Sequence, residues 1–566
     1  MLRGMNGPTT TRNPPCFATH ATLTSLLVGA LLTLLLFGCA VEPLPSPFTG
    51  DEPNGVGDFD SAAPPLPGDV STPEDSDTAA PSTSITLPQS VQGAMWANPE
   101  LYPVLPIHVA VKGSASTVFI QLGDQSIQAT DDDEDGDYLA LVPIGDLAEG
   151  AHTLTATAAN DGDATATAEL HVGAQGVQFT NFNEVGRAAT PRLHRHDDGL
   201  WLTWEDRRTE PRRTWLQQID GAGRGLGEPI GLTPTEKDVV YGRTIPGNHS
   251  LAVLYQTKNP GYQNWLTVVD WKGDVIVAPI ALDPAGTEGS WGGALSFDGE
   301  GFVVVWRTYT AEKSEIHWLR LDETTLETTG PVVVTQTGQE DPHGDFLPFT
   351  FLGAEALGEH TLITFVRDHY NAALEMSVGR CQAAVVHRNG IVGQLALLPT
   401  PLAMPFGFQA FVHRVHDELV TLWSAVSLYD EELNPPHRII GGRINTKLIA
   451  VPGSVQAHVI LQGPTERGEM ALIEHPNHFG TMAWTDQRSK EADPINGRIE
   501  LFVAAVDESL SAELHTLIPH ARFIQDTSQV NGQALGTNTF LLWLDERHGG
   551  TVGNSHPEVY FETIWE

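Results

Sequence analysis

Leu200-Trp201-Leu202-Thr203-Trp204-Glu205-Asp206-Arg207-Arg208 is an apolar run that closes on an aromatic, an acid and an arginine. Six more apolar runs that close on an aromatic follow, among them Phe302-Val303-Val304-Val305-Trp306 and Phe540-Leu541-Leu542-Trp543. The aromatics that end them are Trp204, Tyr255, Trp306, Phe365, Trp423, Trp484 and Trp543, spaced 51, 51, 59, 58, 61 and 59 residues apart. A period of that size marks a repeat architecture. A turn such as His196-Asp197-Asp198-Gly199 precedes the run. A polar loop then leads to a third strand, as at 215–219 and 316–321, and a Gly- or Pro-marked turn to a weaker fourth, as at 229–232 and 331–334. Turn-bounded β-prone runs are the strand signal, and four strands per unit make a propeller blade. The expectation is an all-β chain with a seven-bladed β-propeller over 174–566, six and eight being the neighbouring counts. Only Trp565 and Glu566 follow the third strand of the last unit at 559–564, so it lacks a fourth. The segment 177–180 belongs to no unit. It is predicted to supply that strand and so remove an exposed sheet edge, a hazard for aggregation.

Three units carry W-x-D-x-R: Trp204, Asp206, Arg208; Trp484, Asp486, Arg488; and Trp543, Asp545, Arg547. A buried aromatic removes about 150–250 Å² from water. An Asp at a strand end can accept turn N–H groups, and an Arg two residues on lies on the same side of the strand. These nine residues therefore read as structural, since a motif repeated around a ring marks no single site. The pattern resembles the degenerate propeller repeats of bacterial cell-surface proteins, over about residues 174–566. The S-x-D-x-G-x-x-[TW] box of sialidase propellers is absent, so that chemistry has no residues here to rest on.

The first residues read as an address. Arg3 and Arg12 precede the apolar run 25–37, which is too short to span a bilayer comfortably. It ends in Leu36-Phe37-Gly38-Cys39, which resembles a bacterial lipobox. That resemblance implies a signal peptide over 1–38 and a lipid-carrying Cys39. Several acyl chains together hold a protein at a membrane. Ala40 after the cysteine implies the outer membrane of a Gram-negative cell, facing the periplasm or the exterior. Cys16 leaves with the signal. Cys381 is left as a lone thiol, so no disulfide framework or paired-Cys zinc site is expected. Residues 39–85 hold Pro, Ser, Thr and nine acids without Lys or Arg. Such a stretch cannot bury enough apolar area to offset ordering entropy, and it reads as an extended tether.

Residues 86–173 show five short strand patterns and read as a small β-sandwich. Asp135-Gly136-Asp137-Tyr138 and the later Leu147-Ala148-Glu149-Gly150-Ala151-His152-Thr153-Leu154 resemble bacterial Ig-like modules, which mostly serve as spacers. Asp131, Asp133 and Asp135 start a D-x-D-x-D-G calcium pattern. The twelfth loop position is Val142, where an EF-hand needs a bidentate Glu. An EF-hand is thus excluded. A looser calcium turn stands beside the preferred reading of an acidic hairpin facing water. No other cofactor is indicated.

The formal net charge is −40. Such a surface repels nucleic acid and anionic lipid head groups, so no nucleic-acid partner is expected. Membrane contact would come through the lipid, and a monomer is expected. His194, His343, His413 and His475 fall on or beside predicted innermost strands and are channel candidates for a ligand or metal. No nucleophile elbow, phosphate loop or H-E-x-x-H motif appears, and no catalytic residue is assigned. The main expectation is a lipid-anchored, non-catalytic binding or scaffolding propeller with an unknown protein or glycan ligand. Beside it stand an envelope assembly factor and a glycan-processing hydrolase or lyase with its site at the channel mouth.

Overall fold

A computed structural model describes residues 83–565. It leaves out 160–163, 174–176, 179–187, 207–210, 259–261, 338–348, 372–375, 398–405, 427–436, 445–455, 464–466, 487–498, 524–529, 546–557 and a few positions in other turns. Among the described residues the only helical element is the short 3-10 turn Val91–Gly93; all else that is regular is strand. The signal peptide, Cys39 and nearly all of the tether lie outside the described residues, as do Asp133, Arg208, His343, Arg488 and Arg547.

Two sheets form the N-terminal sandwich. One holds Ser84–Thr86, Val104–Lys112 and Asp137–Pro143; the other holds Ala94–Ala97, Ala164–Val172, Gly150–Ala159, Thr117–Leu122 and Gln125–Ala129. The strand Val104–Lys112 alternates strictly, with Leu105, Ile107, Val109 and Val111 inward. That period of two is what a half-solvated sheet demands. Its inward residues meet Val118, Ile120, Leu154 and Leu170 in one core. The first strand, Ser84–Thr86, begins inside the stretch read as tether.

Seven four-stranded antiparallel sheets follow, at 189–231, 239–281, 289–337, 349–397, 406–463, 467–523 and 530–565. In each, the second strand carries the recurring aromatic. The second strand of sheet two, Leu251–Thr257, is buried along its whole length, because neighbouring sheets cover both of its faces. This explains why the run is continuously apolar and not alternating. The fourth strands of sheets one to three are largely exposed, as Val275–Ala281 shows. Pro279 and Pro331 sit in these outer strands, where a missing N–H is tolerated.

The apolar clusters straddle neighbouring sheets. Tyr255 packs with Leu216 of sheet one, Trp306 with Leu254 of sheet two, and Trp543 with Ala471 of sheet six. Trp204 of sheet one packs with Phe540 and Leu542 of sheet seven. The first strand of each sheet neighbours the first strand of the next, and that of sheet seven neighbours that of sheet one. These first strands therefore ring a common axis, as in a propeller. The fourth strand of sheet seven is Val177–Gln178, paired with Phe561 and Tyr560. It lies at the position that the sequence suggested.

Asp206 is fully buried and accepts the indole N–H of Trp204 two residues earlier. The acid of this motif thus serves the aromatic beside it, a partner the sequence reading did not assign.

The sandwich does not hang free as a spacer. Trp96, 4% exposed, stacks on His171 at 4.2 Å and joins the cluster around Trp204. Asn538 of sheet seven holds it by two bonds. Its Oδ1 accepts the Trp96 N–H at 3.2 Å and its Nδ2 donates to the Trp96 carbonyl at 2.7 Å. Asn98 donates to Glu562 at 3.0 Å, and Trp565 donates to the Pro106 carbonyl at 2.9 Å. Gly536, at φ +61°, passes directly under this junction; a Cβ there would lie 1.8 Å from the Gln89 carbonyl oxygen.

Candidate active site in the axial channel

The first strands bring four polar side chains from three sheets, one of them across the ring from the other two, within electrostatic reach of one another. Arg192 comes from sheet one (Ala189–His196), Glu355 from sheet four (Phe349–Leu357), and His413 and Arg414 from sheet five (Phe406–Val415). The Arg192 charge acts on both Glu355 and His413, although two whole sheets separate one from four around the ring. Arg192 and Glu355 both stand on first strands, which ring the axis.

Glu355 is half-buried and walled in by protein. Burial pushes its carboxyl up to about 7; the Ser296 hydroxyl, Arg192 and Arg414 pull the other way. Ser296 of sheet three donates to Glu355 Oε2 at 2.8 Å. Burial next to Arg192 holds His413 down to about 4, so its imidazole is neutral at ordinary pH. A carboxyl that titrates near neutrality can give up a proton to a leaving oxygen and take one back. A guanidinium within electrostatic reach can stabilise developing negative charge in a low-dielectric site.

Two histidines offered as channel candidates are otherwise employed. His194 is 4% exposed, and its Nε2 meets Thr203 Oγ1 at 3.1 Å and Thr244 Oγ1 at 2.7 Å. Burial, then Arg192, drives it down to about 3. It is a neutral tie between sheets one and two, because the small Thr pair leaves a space that only a satisfied imidazole fills. His475 lies in the turn after Arg467–Glu474, accepts the Asn477 N–H at 3.2 Å and stacks on His478 at 3.9 Å. It is a turn residue. Asp131 and Asp135 each accept a backbone N–H of their own hairpin, from Gly136 at 3.1 Å and from Asp137 at 2.8 Å. Among the described residues, no group of three His, Cys, Asp or Glu side chains is arranged to hold a metal ion.

Glu205 is a second buried acid whose carboxyl burial raises. Arg212 donates to it at 2.8 Å and the Gly242 N–H at 2.9 Å, so it stitches sheets one and two and faces no open space. The residues that sequence reasoning missed are Arg192, Ser296, Glu355 and Arg414. Glu355 carries one signal: it is an acid between two alanines inside a first strand, whereas most acids of the repeats stand in turns.

No protein-family model and no curated protein sequence matches the chain. Among solved structures it is similar to an ulvan lyase of a polysaccharide lyase family, bound to -[GlcA(1-4)Rha3S]-. The identity is 10%, over 69% of this chain and 96% of that one, with a TM-score of 0.43. It is also similar to an α-L-arabinanase of Penicillium chrysogenum complexed with arabinobiose, at 11% identity over 58% and 93%, with a TM-score of 0.39. A third is an α-L-arabinofuranosidase of Fusarium graminearum, at 10% identity over 59% and 96%, with a TM-score of 0.38. These three are a polysaccharide lyase and two glycoside hydrolases, which runs against the expectation of a non-catalytic binding or scaffolding propeller. At these identities and TM-scores, the chemistry has to be argued from the chain's own residues.

Proposed function

We propose that this chain is a glycan-processing enzyme, a hydrolase or lyase, that works in the axial channel of a seven-bladed β-propeller. The observation that carries the reading is Glu355, a half-buried first-strand carboxyl that Ser296 holds at 2.8 Å, raised to about 7 by burial, with the Arg192 charge acting on it from across the ring. In this reading Glu355 is the proton donor to the departing glycosidic oxygen. Arg192 and Arg414 stabilise negative charge, and the neutral His413 accepts a proton or a hydrogen bond. Hydrolysis would need a second carboxyl about 5–10 Å from Glu355. Elimination would need a base near an acidic carbon, a role that an unprotonated imidazole can fill.

The finer architecture belongs to the same proposal. Seven four-stranded sheets support seven blades, and the two-sheet sandwich supports an Ig-like module docked on the ring closure. The lipobox-like end at Cys39 and the acidic tether support an exported, lipid-anchored enzyme of the outer membrane. The net charge of −40 argues against a nucleic-acid partner.

The test is depolymerisation. The purified full chain is incubated with a panel of neutral and uronate-bearing polysaccharides, and their chain length is followed by size-exclusion chromatography. Shortening of at least one glycan is expected; a panel that stays intact would overturn the proposal.

A further inference from the structure

We propose that Ser296 is a positioning residue that assigns the transferable proton of Glu355 to its Oε1 atom. The inference rests on the reading of Glu355 as the proton donor. Ser296 ends the first strand of sheet three but one, is 1% exposed, and touches sheet four twice. Its Oγ accepts the Ala356 N–H at 2.8 Å and stands 2.8 Å from Glu355 Oε2. A hydroxyl has one hydrogen to give. With the amide of Ala356 filling one lone pair, that hydrogen is directed to Oε2. An oxygen that accepts a hydrogen bond is the carbonyl-type oxygen of a neutral carboxyl, so the acid proton resides on Oε1. The opposite arrangement, with Oε2 protonated and donating to Ser296, would leave a deeply buried hydroxyl hydrogen without an acceptor among the described residues. Such an orphan is costly.

The charged groups that bear on Glu355 are Arg192 from sheet one and Arg414 from sheet five. Neither the strand Gly289–Phe297 nor the pairing stretch around Leu362 brings another. The Ser296 hydrogen bond favours the ionised carboxylate and so opposes the effect of burial. Its removal should therefore leave the acid harder to ionise, while its placement on one oxygen is lost.

Infrared difference spectroscopy of the full chain can follow the carboxyl C=O stretch of Glu355, assigned by its loss in Glu355→Gln. Ser296→Ala should move the titration midpoint up by about one pH unit, tenfold in the acid dissociation constant, the scale of a hydrogen bond to a charged group. Ser296→Thr, which keeps the hydroxyl, should restore it. A purely structural serine would alter melting and leave the midpoint where it was. An unmoved midpoint in a folded Ser296→Ala protein, or no restoration by Thr, would overturn the assignment. The wild-type band gives a second reading that needs no variant at Ser296. A carbonyl accepting an O–H absorbs at lower wavenumber than a free one, and a free-carbonyl band would also overturn it. None of these measurements uses a glycan. Their failure would leave the proposed activity standing, and an absence of cleavage would leave them standing.

Discussion

At the scale of single residues, burial decides protonation, and protonation decides role. The carboxyl of Glu355 titrates at about 7 when folded against an ordinary value of 4.5. Because the folded value is the higher one, its neutral form stabilises the fold fully below about pH 4.5, and that contribution is lost as pH rises through about 7. Glu355→Gln escapes the loss. Chemical denaturation should show the variant gaining on the wild type across this window, by on the order of 3 kcal/mol at most; parallel pH curves would refute it. His194 has the opposite sign. It is neutral when folded, at about 3, while the unfolded chain binds a proton near 6.5, so stability falls as pH drops below 6.5. His194→Ala should cost about 2–4 kcal/mol at neutral pH by opening a cavity and stranding Thr203 and Thr244. It should also flatten the acid limb of the stability curve. In sequence, His194 and His413 look alike. Only the packing of the next sheet separates a tie between sheets from a group beside the axis, since each stands on a first strand in a repeat whose neighbours are distant in the chain.

At the scale of elements, the repeat was legible because its physics is local. A strand covered on both faces must be apolar along its covered length, and the runs 251–255 and 301–306 are. The closing strand was legible by subtraction, since one unit lacked an edge and one segment lacked a unit. The docking of the sandwich was not. Trp96 stands alone in its run, with no period to announce it, and its partner Asn538 is 442 residues away. Truncating it removes the indole that sits between Val91, Leu200 and Phe561. Trp96→Ala should cost about 3–5 kcal/mol. It should also split one calorimetric transition into two as sandwich and ring uncouple. A single, unshifted transition would show that the junction contributes little.

At the scale of the whole molecule, a closed ring gathers side chains that no local pattern could associate. Arg192, Glu355 and His413 span more than two hundred residues of sequence, and each is unremarkable in its own strand. The sequence announces a ring and hides the site for the same reason: the repeat sets where each first strand goes, while chemistry depends on what seven unrelated positions do together at the axis. The histidines drew the eye because of their type, but the acid between two alanines is where burial and opposing charge meet. The proposal that Glu355 is the proton donor of a glycan-cleaving site is tested most directly by the pH dependence of cleavage in the wild type and in Glu355→Gln. With a polysaccharide that the protein shortens, the wild-type rate should fall as pH rises through about 7. The variant should lose at least a hundredfold below about pH 7, the lower scale of general-acid catalysis, and the gap should narrow above it. A variant that cleaves at the wild-type rate would contradict the account.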